Sequence, residues 1–208
     1  MDKHSRIVPL VRLIISFIGI CAIITQLVVS ITSGRNLFNF FSFFTIESNI
    51  MAVILYFYLG VRGITRNMPR SISMVRGAIT LYMTLTGIIY MLLLSGNEVA
   101  LQTTVGWVNL ILHYALPLII LLDWLFFPPK TYIPSRRAVL WLVFPAIYLI
   151  YSLIRGSVTH WYPYPFINPI INGWPTVVVM SIFIGFTTII LSLTLGLRTR
   201  QFRPKVSM

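Results

Sequence analysis

Six apolar runs, at about 9–32, 40–61, 74–95, 105–127, 138–155 and 175–197, take up most of this 208-residue chain. Each is near the roughly 20 residues an α-helix needs to cross the hydrocarbon of a bilayer. Lipid offers backbone N–H and C=O groups no partner, so spans of this length have to be helical. The runs therefore predict an all-α polytopic membrane protein: one transmembrane domain over 1–208, built as a six-helix bundle with short loops. The fifth run is the shortest and carries Pro145, which predicts a kinked or tilted helix.

Charge follows the same plan. Charged residues make up 10% of the chain against 57% hydrophobic, yet the net charge is +12. The basic residues fall in four groups: Lys3, Arg6 and Arg12; Arg62, Arg66, Arg70 and Arg76; Lys130, Arg136 and Arg137; and Arg198, Arg200, Arg203 and Lys205. Only Arg35 and Arg155 fall on the other side of a six-pass topology. This positive-inside bias predicts that both termini are cytoplasmic. It argues against nucleic acid as a partner, because there is no basic soluble module to carry such contacts. The basic start before the first apolar run reads as a retained signal anchor, since five more spans follow. Cys21, the single cysteine, reads as a small packing residue.

In such a chain the informative positions are the few polar residues inside the spans, which are costly in lipid and tend to face the bundle interior. They are Gln26, Thr45, Glu47, Asn49, Asn109, His113 and Asp123. Spans two and four run in the same direction, with Thr45 about five residues and His113 about eight residues into them, so their depths differ by about 5 Å. Ser42, Thr45 and Asn49 share one face of a continuous helix, and Asn109 and His113 share another. Gln26 lies at a similar depth, late in the first span. A threonine hydroxyl becomes a nucleophile when a neutral imidazole removes its proton, so a Thr45–His113 dyad is the candidate chemistry. Asn109 would orient the imidazole or polarise a carbonyl. Glu47 points to another face, and Asp123 reads as a partner of Arg136, Arg137 or a neighbouring helix. The plainer reading of all these residues is interhelical hydrogen bonding.

Other chemistries find less. His4, His113 and His160 lack metal-ligand spacing, there are no paired cysteines, and no cofactor is implied. No G-x-S-x-G elbow or Gly-rich phosphate loop is present. Between spans five and six, His160-Trp161-Tyr162-Pro163-Tyr164-Pro165-Phe166 cannot form a regular helix. It reads as an interfacial aromatic anchor or, alternatively, as a semi-rigid lid over the bundle mouth.

Phe43-Phe44-Thr45, the run Trp107, Asn109, His113 (W-x-N-x-x-x-H), Asp123, Pro134-Ser135-Arg136 and Trp161 through Phe166 together resemble the androgen-induced membrane hydrolase family. This is the family of the androgen-induced gene protein and the androgen-dependent regulator of tissue factor pathway inhibitor. Its members are multipass proteins that hydrolyse fatty acid esters of hydroxy fatty acids with a threonine and a histidine. The resemblance implies Thr45 as nucleophile and His113 as base. The family's second histidine in this run is Leu110 here, and Pro117 falls one residue nearer His113 than the family pattern has it. Compactness and the proline-rich loop resemble bacterial relatives, which implies a bacterial plasma membrane. The expected partner is a membrane lipid or acyl ester entering sideways, its chains held by Phe40, Phe41, Phe43 and Phe44. The expected supporting residues are Asn109, Asn49, Trp107, Gln26 and Tyr164. The alternative reading is a non-enzymatic lipid or small-molecule binding or transport protein using the same cavity. A third is a structural subunit.

Overall fold

A computed structural model describes residues 4–96 and 105–203; Lys3, Glu98 and Lys205 lie outside them. Six helical segments are long and apolar enough to cross a membrane: Ile7–Thr32, Phe44–Val61, Arg70–Leu94, Gly106–Phe126, Ser135–Thr159 and Pro169–Phe202. Their helices, in order, are α1 (His4–Thr32), α2 (Leu37–Phe41), α3 (Phe44–Val61), α4 (Arg70–Ile89), α5 (Gly106–Leu110), α6 (Leu116–Phe126), α7 (Ser135–Ala138), α8 (Val143–Thr159) and α9 (Pro169–Leu197). No strand occurs among the described residues.

The second and third spans form the buried centre of the bundle, and the fifth and sixth are its most exposed members. Small residues set the closest approaches, because association in lipid relies on backbone proximity and polar contacts rather than on hydrophobic drive. Gly19 receives Val53, and Gly60 lies against Leu13 and the Pro9 carbonyl, which brings α1 along α3. Ser16 Oγ donates to the Val53 carbonyl at 2.8 Å across the same seam.

Gly77 of α4 is the notch for Trp141, whose indole occupies the space a Cβ would take. The indole is also fixed edge-on to Trp124, with ring centroids 6.1 Å apart. Gly77→Ala should therefore lower stability by about 1–3 kcal/mol through overpacking. Thermal unfolding in detergent measures this. Trp141→Leu in the same chain should restore part of the loss; equal melting of Gly77→Ala and the parent protein would refute the account.

Three proline effects shape the spans. Pro117 has no N–H for the His113 carbonyl, and the chain widens there into a π turn, Ile111–Ala115, in which the Leu116 N–H reaches Ile111 O. Pro145 likewise cannot serve Trp141 O, and residues Val139–Leu142 tighten into a 3₁₀ turn. In α9, Gly173 adopts φ 73°, ψ 157° two residues before Pro175, breaking the helix into two arms.

Two expectations need correction. The second span is not continuous from 40: Phe41 ends α2, and α3 starts at Phe44. That makes the second span the shortest, at 18 residues, while the fifth runs for 25. Ser42 therefore lies outside the helix that carries Thr45. Its Oγ donates back to Phe38 O at 2.6 Å, and its carbonyl accepts from Tyr148 Oη at 2.9 Å.

At the end of the bundle where α1 begins and α9 finishes, Asp123 of α6 is the hub of a buried charge cluster. Its carboxylate accepts from Arg12 at 3.0 Å, Arg76 at 2.8 Å and Tyr56 Oη at 2.9 Å. Arg136 and Arg137 are not its partners. Arg12 also donates to the carbonyls of Ile64 and Thr65, and Arg76 to Phe127 O. One carboxylate thereby ties the first, second, third and fourth spans and the turn between spans two and three.

Candidate functional site

At the opposite end, the first N–H groups of α3 have no side-chain cap, because Phe43 stands at the N-cap position. Two tyrosines from distant segments take that role. The Phe44 N–H donates to Tyr148 Oη at 3.2 Å, and the Thr45 N–H donates to Tyr164 Oη at 3.3 Å. Tyr164 Oη also lies 3.5 Å from Thr45 Oγ1. Having accepted the amide hydrogen, the phenol keeps its own hydrogen to give. Burial raises the Tyr164 phenol above its ordinary value, with hydrogen bonds to Thr45 acting the other way, so it remains a protonated donor at neutral pH.

Tyr164 reaches Thr45 because the segment after α8 folds inward rather than lying at the surface. Tyr162 and Tyr164 are both buried. The Tyr162 ring sits where a side chain at Gly156 would be. Tyr164 stacks on Phe166, with ring planes 5° apart, and meets Phe43 edge-on. Two rings of this proline-rich segment, Tyr162 and Tyr164, thus turn into the bundle.

Thr45 stands between two cavities. The larger, about 340 Å³, is lined mostly by apolar side chains, among them Leu85, Ile89, Tyr148, Phe166 and Ile184. Ala146 of α8 and Ile189 of α9 line it too and are exposed on the outer face of the bundle, so it opens sideways between these helices. They leave room there because α9 packs on the start of the fifth span, where Ser192 Oγ donates to Ala138 O at 2.8 Å. The smaller cavity, about 20 Å³, is lined by Gln26, Ser30, Phe43, Thr45, His113 and Tyr164, with a few apolar neighbours. Thr45, Tyr164 and Leu94 are common to both.

His113 lies within the π turn, 3% exposed. Its Nδ1 is 3.3 Å from the Asn109 carbonyl. A carbonyl only accepts, so that contact places the proton on Nδ1 and leaves Nε2 as the basic nitrogen. The ring stacks on Tyr90, with centroids 4.0 Å apart. Asn109 donates its side-chain amide to Tyr90 Oη at 2.7 Å. Asn109 thus orients the imidazole through its backbone, while its side chain is engaged with the tyrosine behind it.

Asn49 is fully buried and donates to Thr45 O at 2.8 Å and to Leu112 O at 3.2 Å, linking the threonine's helix to the histidine's turn. The sequence-predicted residues Thr45, His113, Gln26, Asn49 and Tyr164 are therefore brought together. Thr45 Oγ1 and His113 share the smaller cavity without a direct hydrogen bond between them.

Trp107 is 48% exposed and lines neither cavity. Glu47 lines neither cavity. The four phenylalanines divide: Phe40 and Phe43 line the smaller cavity, Phe44 the larger, and Phe41 is exposed.

Tyr90, Tyr148 and Ser30 escaped the sequence reading. Ser30 carried a signal, standing four residues after Gln26 and so on the same helix face. The tyrosines carried none, being two among ten in a chain rich in apolar runs. No family model, curated protein or solved structure matches this chain.

Proposed function

We propose that this protein is an intramembrane hydrolase of lipid esters, with Thr45 as nucleophile and His113 as general base. The observation that carries this reading is the position of the Thr45 hydroxyl, which borders a large apolar cavity on one side and a small cavity lined in part by the His113 imidazole on the other. An acyl chain entering between α8 and α9 would lie in the larger cavity with its ester carbonyl at Thr45. Thr45 Oγ1 attacks the carbonyl carbon, and its proton passes to His113 Nε2. The tetrahedral oxyanion accepts from the Tyr164 phenol. Collapse breaks the bond to the alkoxy oxygen, which takes the proton from His113, leaving an acyl-threonine for water to hydrolyse.

The resemblance noted above suggests fatty acid esters of hydroxy fatty acids, or a related acyl ester, as the substrate class. The crowding of basic side chains at the termini end favours cytoplasmic termini, which puts the site in the outer half of a plasma membrane, bacterial by the same resemblance. A large apolar cavity open to the side also suits a lipid-binding or transport protein that performs no chemistry. Fluorophosphonate labelling of the purified protein separates the two. Labelling that disappears in Thr45→Ala supports the hydrolase; labelling indifferent to both Thr45→Ala and His113→Ala refutes it.

The phenol makes its own prediction. Tyr164→Phe keeps the ring contacts with Phe166 and Phe43 and deletes only the donor. Loss of an oxyanion donor costs on the order of 10²–10³ in kcat. KM for a chromogenic acyl ester should change little, since the acyl cavity is intact. A rise in KM at constant kcat would assign Tyr164 to binding instead.

A further inference from the structure

We infer that the smaller cavity is the water site of this enzyme, a chamber for one hydrolytic water held between His113 and Thr45 and closed to larger nucleophiles. The inference rests on the hydrolase reading above and specifies how the acyl-threonine is cleared.

A buried water needs roughly 10–15 Å³ of space for its centre and roughly two to four polar partners. The cavity offers about 20 Å³, which suffices for one water. Four polar side chains line it besides Ser30: the Thr45 hydroxyl, the His113 imidazole, the Tyr164 phenol and the Gln26 amide. Ser30 Oγ already donates to Gln26 O at 2.9 Å and is left as an acceptor. Among the described residues the rest of the wall is apolar, formed by Phe40, Phe43, Ile46, Leu94 and Leu112. The hydroxyl and imidazole both line this space without a hydrogen bond to each other, so one molecule between them would meet both.

The division of the site follows. With the acyl chain in the larger cavity, the acyl carbonyl lies at the boundary, and its other face is open to the chamber. In deacylation the water oxygen forms a bond to the acyl carbon while one of its protons passes to His113 Nε2. The bond between that carbon and Thr45 Oγ1 then breaks, and Oγ1 takes the proton from His113. The products are a free fatty acid and the starting threonine, with no other reactant.

Filling the chamber should therefore block the second step and spare the first. Ser30→Val adds apolar bulk to the chamber wall. The test uses the full chain in detergent with p-nitrophenyl decanoate, following p-nitrophenol release and intact protein mass. Ser30→Val is expected to keep its burst of p-nitrophenol, to lose steady-state turnover by on the order of tenfold or more, and to accumulate one decanoyl group on Thr45.

A second measurement needs no variant. In aqueous methanol the wild type should release decanoic acid and almost no methyl decanoate, whereas Leu112→Ala, which enlarges the chamber, should release both. Wild-type turnover in a folded Ser30→Val, or methyl ester forming in wild type in proportion to methanol, would overturn the water chamber while leaving the hydrolase standing. Absence of any Thr45-dependent acyl-enzyme in wild type would overturn the hydrolase reading and the chamber with it.

Discussion

Asp123→Ala should destabilise the folded bundle by about 3–5 kcal/mol, the usual cost of removing one partner from a buried charge cluster. The expectation rests on what is left behind. Arg12 and Arg76 are 1% and 0% exposed, and the carboxylate they share offsets one of their two positive charges. Carbonyls of Ile64, Thr65 and Phe127 continue to accept from them, but a carbonyl supplies no countercharge. Tyr56 Oη loses its acceptor as well. The variant should melt well below the parent in detergent and reach the membrane in lower amount. Asp123→Ala, Arg12→Met and Arg76→Met combined should recover much of the loss, because the uncompensated charge leaves with the arginines. Melting of the single variant within about a degree of wild type would show that the cluster is not holding the spans together. Asp123 is ten residues from His113, about 15 Å along the helix, so folded Asp123→Ala should keep its labelling by a fluorophosphonate.

The second large effect is on chemistry. His113→Ala should reduce ester turnover by about 10²–10⁴, the range associated with a positioned general base. Thr45→Ala should bring it to the background rate, because the attacking hydroxyl is gone. The two losses should not add: with the nucleophile gone, there is no proton for the base to take. Thr45→Ser retains the hydroxyl and should retain measurable activity. A chromogenic acyl ester assay with the double variant checks this. A double variant slower than either single variant by the product of their separate losses would mean that the residues act independently.

Both residues were accessible from sequence for a simple physical reason. A hydroxyl and an imidazole in apolar runs are conspicuous, and helix rise converts residue numbers into depth. The span count was equally plain, since hydrocarbon thickness sets the length of a crossing helix.

Other features depended on quantities that periodicity does not carry. Periodicity continues through Ser42-Phe43, so the break between α2 and α3 was invisible; the tyrosine hydroxyls of Tyr148 and Tyr164 that accept the freed N–H groups come from more than a hundred residues away. The π turn around His113 has a visible cause in Pro117, yet a proline alone does not say whether a helix kinks or widens. Asp123 was read as a partner of Arg136, Arg137 or a neighbouring helix; it is the neighbouring helices that supply its partners, Arg12 from the first span and Arg76 from the third, and sequence alone did not say which. Trp107 was read from the motif, which carries no information on exposure, and it lines neither cavity.

The tyrosines that cap α3 also dictate an order of events at birth. Thr45 and His113 leave the ribosome and enter the membrane well before Tyr148 and Tyr164, and until those two arrive the start of α3 has bare amides and no wall toward the fifth and sixth spans. On the hydrolase proposal, a half-inserted chain would be inert toward the lipid around it, and reactivity would come only when the last third has been threaded and folded back.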